Sequence, residues 1–445
     1  MRSLIFGIFC LLLLSCSKNT ENESEDLPFQ SKKLGFVKTF GGSEEDIAHS
    51  VISTHDGGFA VVGNTQSTNG VFTFKNRSGS DIFLMKFNSF LIMEWVKTYG
   101  GSADDRGREV IQLADGSYVI AGYSKSSDGD ASVNKGQHDN WIIKTDENGE
   151  IIWEKSFGFL GHDHAYNIIA TADGGLFFNG FLDLTSAELT RRESEKRTLT
   201  NKHGVGEFWC HKIDGNGQVQ WSNYFGGTNN DRSYDALETD QGDFILVGST
   251  ESKDFDITDP KGGYDMWIVK IDAKGELLWE QAIGGSRYDI GKAIIETKNG
   301  DYLAVGQSYS SDKDIVNPLG ASDGIVAKIS SKGVLKEVQN YGSDGFDTLN
   351  DIIELENGTL ILAGSSGNQE LDSITLLNND LILFHVDFND ELLNTYRLGG
   401  DGLDRVEKIT TNTQGKIIAV GSTTSKTPPF SDSKGGKDLF IAIWD

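Results

Sequence analysis

Trp95-Val96-Lys97-Thr98-Tyr99-Gly100-Gly101-Ser102 decides the fold of this chain, because it recurs. Equivalents start at Phe36, Trp95, Trp153, Trp221, Trp279, Glu337 and Asn394, with successive spacings of 59, 58, 68, 58, 58 and 57 residues. Each copy has an Asp ten residues after its start: Asp46, Asp105, Asp163, Asp231, Asp289, Asp347 and Asp404. Two apolar runs follow, joined by a tight turn such as Asp115-Gly116, Asp173-Gly174-Gly175, Asn299-Gly300 or Asn357-Gly358. D-G and N-G between alternating apolar runs predict β-hairpins, since those turns need positive φ. A glycine closes the second run (Gly63, Gly122, Gly180, Gly248, Gly306, Gly364, Gly421), and an acid opens a third (Asp81, Asp139, Glu207, Asp265, Asp323, Asp380, Asp438). The third turns into a fourth, as Asp265 to Asp272 turns at Lys274-Gly275 into Glu276 to Ile283. Each copy therefore predicts four short antiparallel strands.

A four-stranded sheet repeated seven times, each too small to bury both faces alone, is satisfied by radial packing. The expected fold is all-β, a seven-bladed β-propeller over residues 34–445. Leu34 to Phe40 reads as a fourth strand with nothing before it, and Leu439 to Trp444 as a third strand with nothing after it. Pairing the N-terminal strand with the C-terminal one completes a blade and removes two free sheet edges.

Composition agrees and excludes other classes. With 53 Gly but only 5 Pro in 445 residues, the chain is turn-rich without being collagenous or Pro-rich disorder. A net charge of -26 excludes nucleic acid as the expected partner, because phosphate neutralisation needs a Lys/Arg surplus.

Phe36-Val37-Lys38-Thr39-Phe40-Gly41-Gly42-Ser43 with Asp46, and Asp56-Gly57-Gly58-Phe59-Ala60-Val61-Val62-Gly63, resemble the seven-bladed β-propeller repeat family of secreted bacterial proteins. That resemblance implies the fold and is nearly silent on activity. Lys270 to Trp279 also looks like the tryptophan-docking repeat of quinoprotein-type propellers, which typically have eight blades.

Residues 1–15 read as a signal peptide: Arg2, then an apolar run from Leu4 to Leu14, too short to span a bilayer. Leu13-Leu14-Ser15-Cys16 resembles the lipobox of bacterial lipoproteins, which implies a palmitate-type lipid anchor on Cys16. The polar, acidic residues 16–33 read as a lipidated flexible tether and look like the export signal of Bacteroidota surface lipoproteins. The resemblance implies an outer-membrane, surface-exposed location, the membrane being reached through the anchor. Processing removes Cys10, so Cys210 is left without a disulfide partner and reads as a buried core thiol.

Repeated residues build blades, and unrepeated ones are candidates for function. The seven loop Asp read as structural acceptors of backbone N-H groups. Trp95, Trp153, Trp221 and Trp279 read as packing between blades, a series that Phe36, Glu337 and Asn394 break. The residue after the loop Asp is basic in four copies (Arg106, His164, Arg232, Arg405) and is expected at the channel mouth, offsetting acids or binding an anion such as a uronate. Three loops carry D-x-D: Asp128/Asp130, Asp254/Asp256 and Asp312/Asp314. Calcium is the one cofactor these pairs suggest, although they lack the twelve-residue frame of an EF-hand and suit solvated turns better. Copy three has a basic insertion with Arg191, Arg192, Lys196, Arg197 and His203, expected as a ligand- or partner-binding loop or a plain surface insertion. Imidazoles at His138, His162, His164 and His203 have one rim in common, but zinc needs three or four converging ligands and spacing does not show convergence.

No nucleophile elbow, H-E-x-x-H, P-loop or C-x-x-C occurs. The expected function is a platform for an envelope protein or polysaccharide partner, without chemistry of its own. The alternative is a glycan-active hydrolase or lyase at the channel mouth.

Overall fold

Every predicted hairpin forms. The computed structural model describes residues 32–445 apart from 76, 184–203, 205, 368–378 and 388. Its described strands make seven four-stranded antiparallel sheets within the unit Lys33–Asp445. Blade 2 is typical: Asp105–Gln112, Tyr118–Ser124, Asp139–Thr145 and Ile151–Phe157, each hydrogen-bonded to the next. The innermost strands of the other blades, in order, are Asp46–Ser53, His164–Ala170, Asp231–Glu238, Asp289–Glu296, Phe346–Glu354 and Asp404–Thr411. Blade 7 takes its outermost strand from the other end of the chain. Leu34–Phe40 pairs antiparallel with Asp438–Trp444, Leu34 lying opposite Trp444 and Phe40 opposite Leu439.

The core lies between sheets. Second and third strands such as Phe59–Thr65 and Asp81–Phe87 are buried along their whole length, as strands covered on both faces must be. Phe208, Phe244, Leu246 and Trp267 join blades 3 and 4. Phe83 and Met85 meet Ile418 and Ile441, which joins blade 1 to blade 7 and closes the ring.

The Trp series docks blade on blade through a matched turn. Trp95, Trp153, Trp221 and Trp279 each cover the glycine that ends the third-to-fourth strand turn of the next blade: Gly149, Gly217, Gly275 and Gly333. All four glycines have φ between +75° and +81°, and a Cβ there would press on the indole. Trp221 also donates its Nε1-H to Ala273 O at 3.1 Å. Where the Trp is absent the turn changes with it, since Phe36 lines a pocket with Leu91 (φ 64°) and Glu337 stands near Asp390 (φ 64°).

The seven loop Asp share one job. Each accepts a backbone N-H four residues earlier, at 2.6–2.8 Å, from Gly42, Gly101, Phe159, Gly227, Gly285, Ser343 and Gly400. In five blades the Asp also accepts a hydroxyl proton from the end of the second strand (Thr65, Ser124, Thr250, Ser308, Thr423). All seven carboxylates are buried. Cys210 is fully buried on the third strand of blade 3.

Candidate ligand site in the central channel

Each innermost strand carries one extra residue. Its register slips opposite the second strand at Ala48/Ser50, Gly107/Glu109, Ala165/Asn167, Ser233/Asp235, Gly291/Ala293, Leu349/Asp351 and Val406/Lys408. The glycine that closes each second strand permits this, because a Cβ there would overlap the carbonyl oxygen of the residue after the loop Asp. The residue left over is His49, Arg108, Tyr166, Tyr234, Lys292, Asn350 or Glu407. All seven line one central cavity of about 330 Å³, together with Arg232, Arg405, Glu109, Asp235 and Lys408.

Around this ring the side chains are linked in sequence. Arg108 Nη1 lies 3.3 Å from His49 Nδ1, and its Nη2 donates to Tyr123 OH at 2.8 Å. The Arg108 guanidinium sits 5.7 Å from the centre of the Tyr166 ring, which packs 5.3 Å from Tyr234. Lys292 Nζ lies 4.3 Å over Tyr234. Burial first, then the Arg108 charge, holds His49 well below its ordinary pKa. Burial, aided by Arg405 and Arg108, lowers Lys292 to about 8.

The acids of the cavity are already engaged. Asp235 accepts Ile294 N at 3.0 Å and the Asn167 amide, tying three blades. Glu109 takes the Ser50 hydroxyl and lies 3.4 Å from Lys408, which also lies 3.7 Å from Asp351. These acids outweigh burial and hold Lys408 well above its ordinary value. Glu407 pairs with Arg405 at 3.4 Å. Among the described residues, Arg108, Arg232 and Lys292 have no carboxylate partner. The site is a cationic and aromatic cup inside a chain of net charge -26.

Of the four basic residues expected at the mouth, Arg232 and Arg405 line the cavity. Arg106 is drawn aside by Asp104 at 3.0 Å, and His164 stacks on Tyr123 with ring centres 3.9 Å apart. The residue two places further on, freed by the bulge, forms the ring, and sequence reasoning missed it. Its signal is a position that differs in type in nearly every copy while its neighbours repeat.

The D-x-D pairs clamp the adjoining G-G-S turns. Asp128, Asp254 and Asp312 accept Ser102, Thr228 and Ser286 N at 2.7–2.9 Å, and Asp130, Asp256 and Asp314 accept Gly100, Gly226 and Gly284 N at 3.0–3.2 Å. Among the described residues, the one convergent set of three metal-type ligands is His138, His162 and His164, whose ligand atoms all lie within 4.8 Å of one another. Arg191, Arg192, Lys196, Arg197, His203 and Cys16 lie outside the described residues. No helix among the described residues is long and apolar enough to cross a membrane.

No protein-family model matches the chain. Regulatory protein FlaEY of Caulobacter vibrioides is 25% identical over 211 residues, 45% of this chain and 22% of that protein, so the match spans less than a quarter of its length. Among solved structures, the Neurospora crassa Pan2 WD40 domain matches at a TM-score of 0.48 and 10% identity, covering 92% of this chain and 94% of that one. A protein of unknown function from Bacteroides caccae matches at 0.36 and 13%, covering 63% and 78%, and a glucose dehydrogenase at 0.39 and 11%, covering 92% and 98%. The blade count rests on the strand pairing of this chain itself.

Proposed function

We propose that this propeller is a binding platform, lipid-anchored through Cys16 at the outer-membrane surface, whose channel mouth takes a carboxylate-bearing glycan. One observation carries the reading: Arg108, Arg232 and Lys292 face a shared cavity without carboxylate partners among the described residues, beside Tyr166 and Tyr234. Half-buried cations without a carboxylate partner are partly desolvated, and an anionic ligand would offset that cost. The tyrosine rings offer apolar faces to the C-H surface of a sugar. The cavity volume lies at the low end of small-molecule sites, which suits a short, charged segment rather than a bulky ligand.

Calorimetric titration of full-length protein with oligogalacturonate and with a neutral glucan tests this. Binding of the uronate alone is expected, weakened at least tenfold by Arg232→Ala combined with Lys292→Ala. Equal binding of the neutral glucan, or unchanged affinity in the double variant, would overturn it.

Lys292 favours a second reading. An amine held near pKa 8 is partly neutral at neutral pH and serves as a general base. Removing the proton α to an Arg-neutralised carboxylate, with departure of the β glycosidic oxygen, would leave a C=C bond, which is lyase chemistry. Release of unsaturated, ultraviolet-absorbing uronate ends distinguishes it from simple binding.

A further inference from the structure

At the junction of blades 2 and 3 the G-G-S turn reads Gly158-Phe159-Leu160 and leads into Gly161-His162-Asp163-His164. His138, just before the third strand of blade 2, forms a bridge with His162. Two backbone bonds fix that approach, Asp163 N to His138 O at 2.8 Å and Gln137 N to Gly161 O at 3.0 Å. The imidazoles therefore meet on backbone that is already ordered. At the equivalent bridges the partners are Tyr264 with Tyr288 and Ser322 with Phe346, so the histidines are peculiar to this junction and are not blade mechanics.

We propose that His138, His162 and His164 form a transition-metal site of the zinc type, with three protein nitrogens and a fourth position open to solvent. His138 Nδ1 and His162 Nδ1 face each other at 2.9 Å. A tetrahedral ion with bonds of about 2.0 Å holds its ligand atoms about 3.3 Å apart, so a small opening of this pair seats it. His164 Nε2 is buried and makes no hydrogen bond among the described residues, and a metal gives it a partner. The outward nitrogen of His164 is hydrogen-bonded as in metal-bound histidines, and that of His138, which makes no hydrogen bond among the described residues, has a carboxylate nearby. Asp104 Oδ2 lies 3.5 Å from His138 Nε2, and Tyr166 OH lies 3.1 Å from His164 Nδ1. The donor set, all imidazole, favours zinc, copper or nickel over calcium.

Chelator-stripped full-length protein without a histidine tag, dialysed against Zn²⁺, provides the test, with metal per chain measured by mass spectrometry. The wild type is expected to hold one zinc, and Co²⁺ in its place to give the intense visible absorption of a tetrahedral site. His162 is exposed, so His162→Ala is expected to keep its melting temperature in the absence of metal while binding zinc at least tenfold more weakly. Asp104→Asn is expected to weaken binding about tenfold, and the exposed His55→Ala to leave it unchanged. Failure of the wild type to retain zinc, or equal retention by His162→Ala, would overturn the site. Unchanged affinity in Asp104→Asn would overturn the orienting role given to Asp104.

Discussion

Gly248 shows how much one missing side chain can control. A Cβ at this position would overlap the carbonyl oxygen of Arg232 across the bulge that turns Tyr234 into the channel. Gly248→Ala must either flatten the bulge or push the strands apart, and is expected to cost more than about 1 kcal/mol. Urea denaturation checks this against Gly436→Ala, where a Cβ meets nothing within 4 Å and the change is expected to stay within about 0.5 kcal/mol. The same substitution moves a channel residue, so uronate affinity in Gly248→Ala falls along with stability.

Blade strands carry two separate messages, one for packing and one for the channel. The fourth strand's Trp and the next blade's turn glycine form a unit, so Trp279→Ala leaves Gly333 uncovered and is expected to cost about 2 kcal/mol for a half-buried indole. Asn394→Ala should be close to neutral, because the blade it faces has no third-to-fourth turn: those strands come from opposite ends of the chain. Thermal melts of the two variants compare the blade seams directly. This packing was legible in the sequence, since the period, the D-G hairpins and the Trp series all repeat. The channel ring was not, because the bulge that leaves the residue three past the loop Asp unpaired follows from the close approach of the fixed glycine to the neighbouring strand, which no period in the sequence reports. The histidine trio was only half legible. His162 and His164 are two apart in sequence, but His138 reaches them from another blade, and convergence of that kind is tertiary.

For the molecule as a whole, burial raises the pKa of acids distributed around the ring, with Asp81 and Asp163 at about 7 and Glu207 at about 10. Unfolded, these groups ionise near about 4. From about pH 6.5 to pH 8 the folded chain binds more protons than the unfolded one, so stability falls as pH rises. At pH 6.5 the histidines that burial holds low, half-charged when unfolded, oppose this trend, and their opposition fades as pH rises. Scanning calorimetry is expected to find a lower melting temperature at pH 8 than at pH 6.5, and the reverse order would contradict the buried protonated acids. Asp56 and Asp173, held at about 2 by Lys86 and Lys212, do not alter this window, since their contribution is lost only in acid. The seam between Leu34–Phe40 and Asp438–Trp444 adds a constraint in time. The strand synthesised first waits for the strand synthesised last, so the ring stays open throughout translation and any passage of the chain across a membrane. Closure then brings together the two strands of the propeller most distant in sequence, a loop-closure step of high contact order that is expected to be slow.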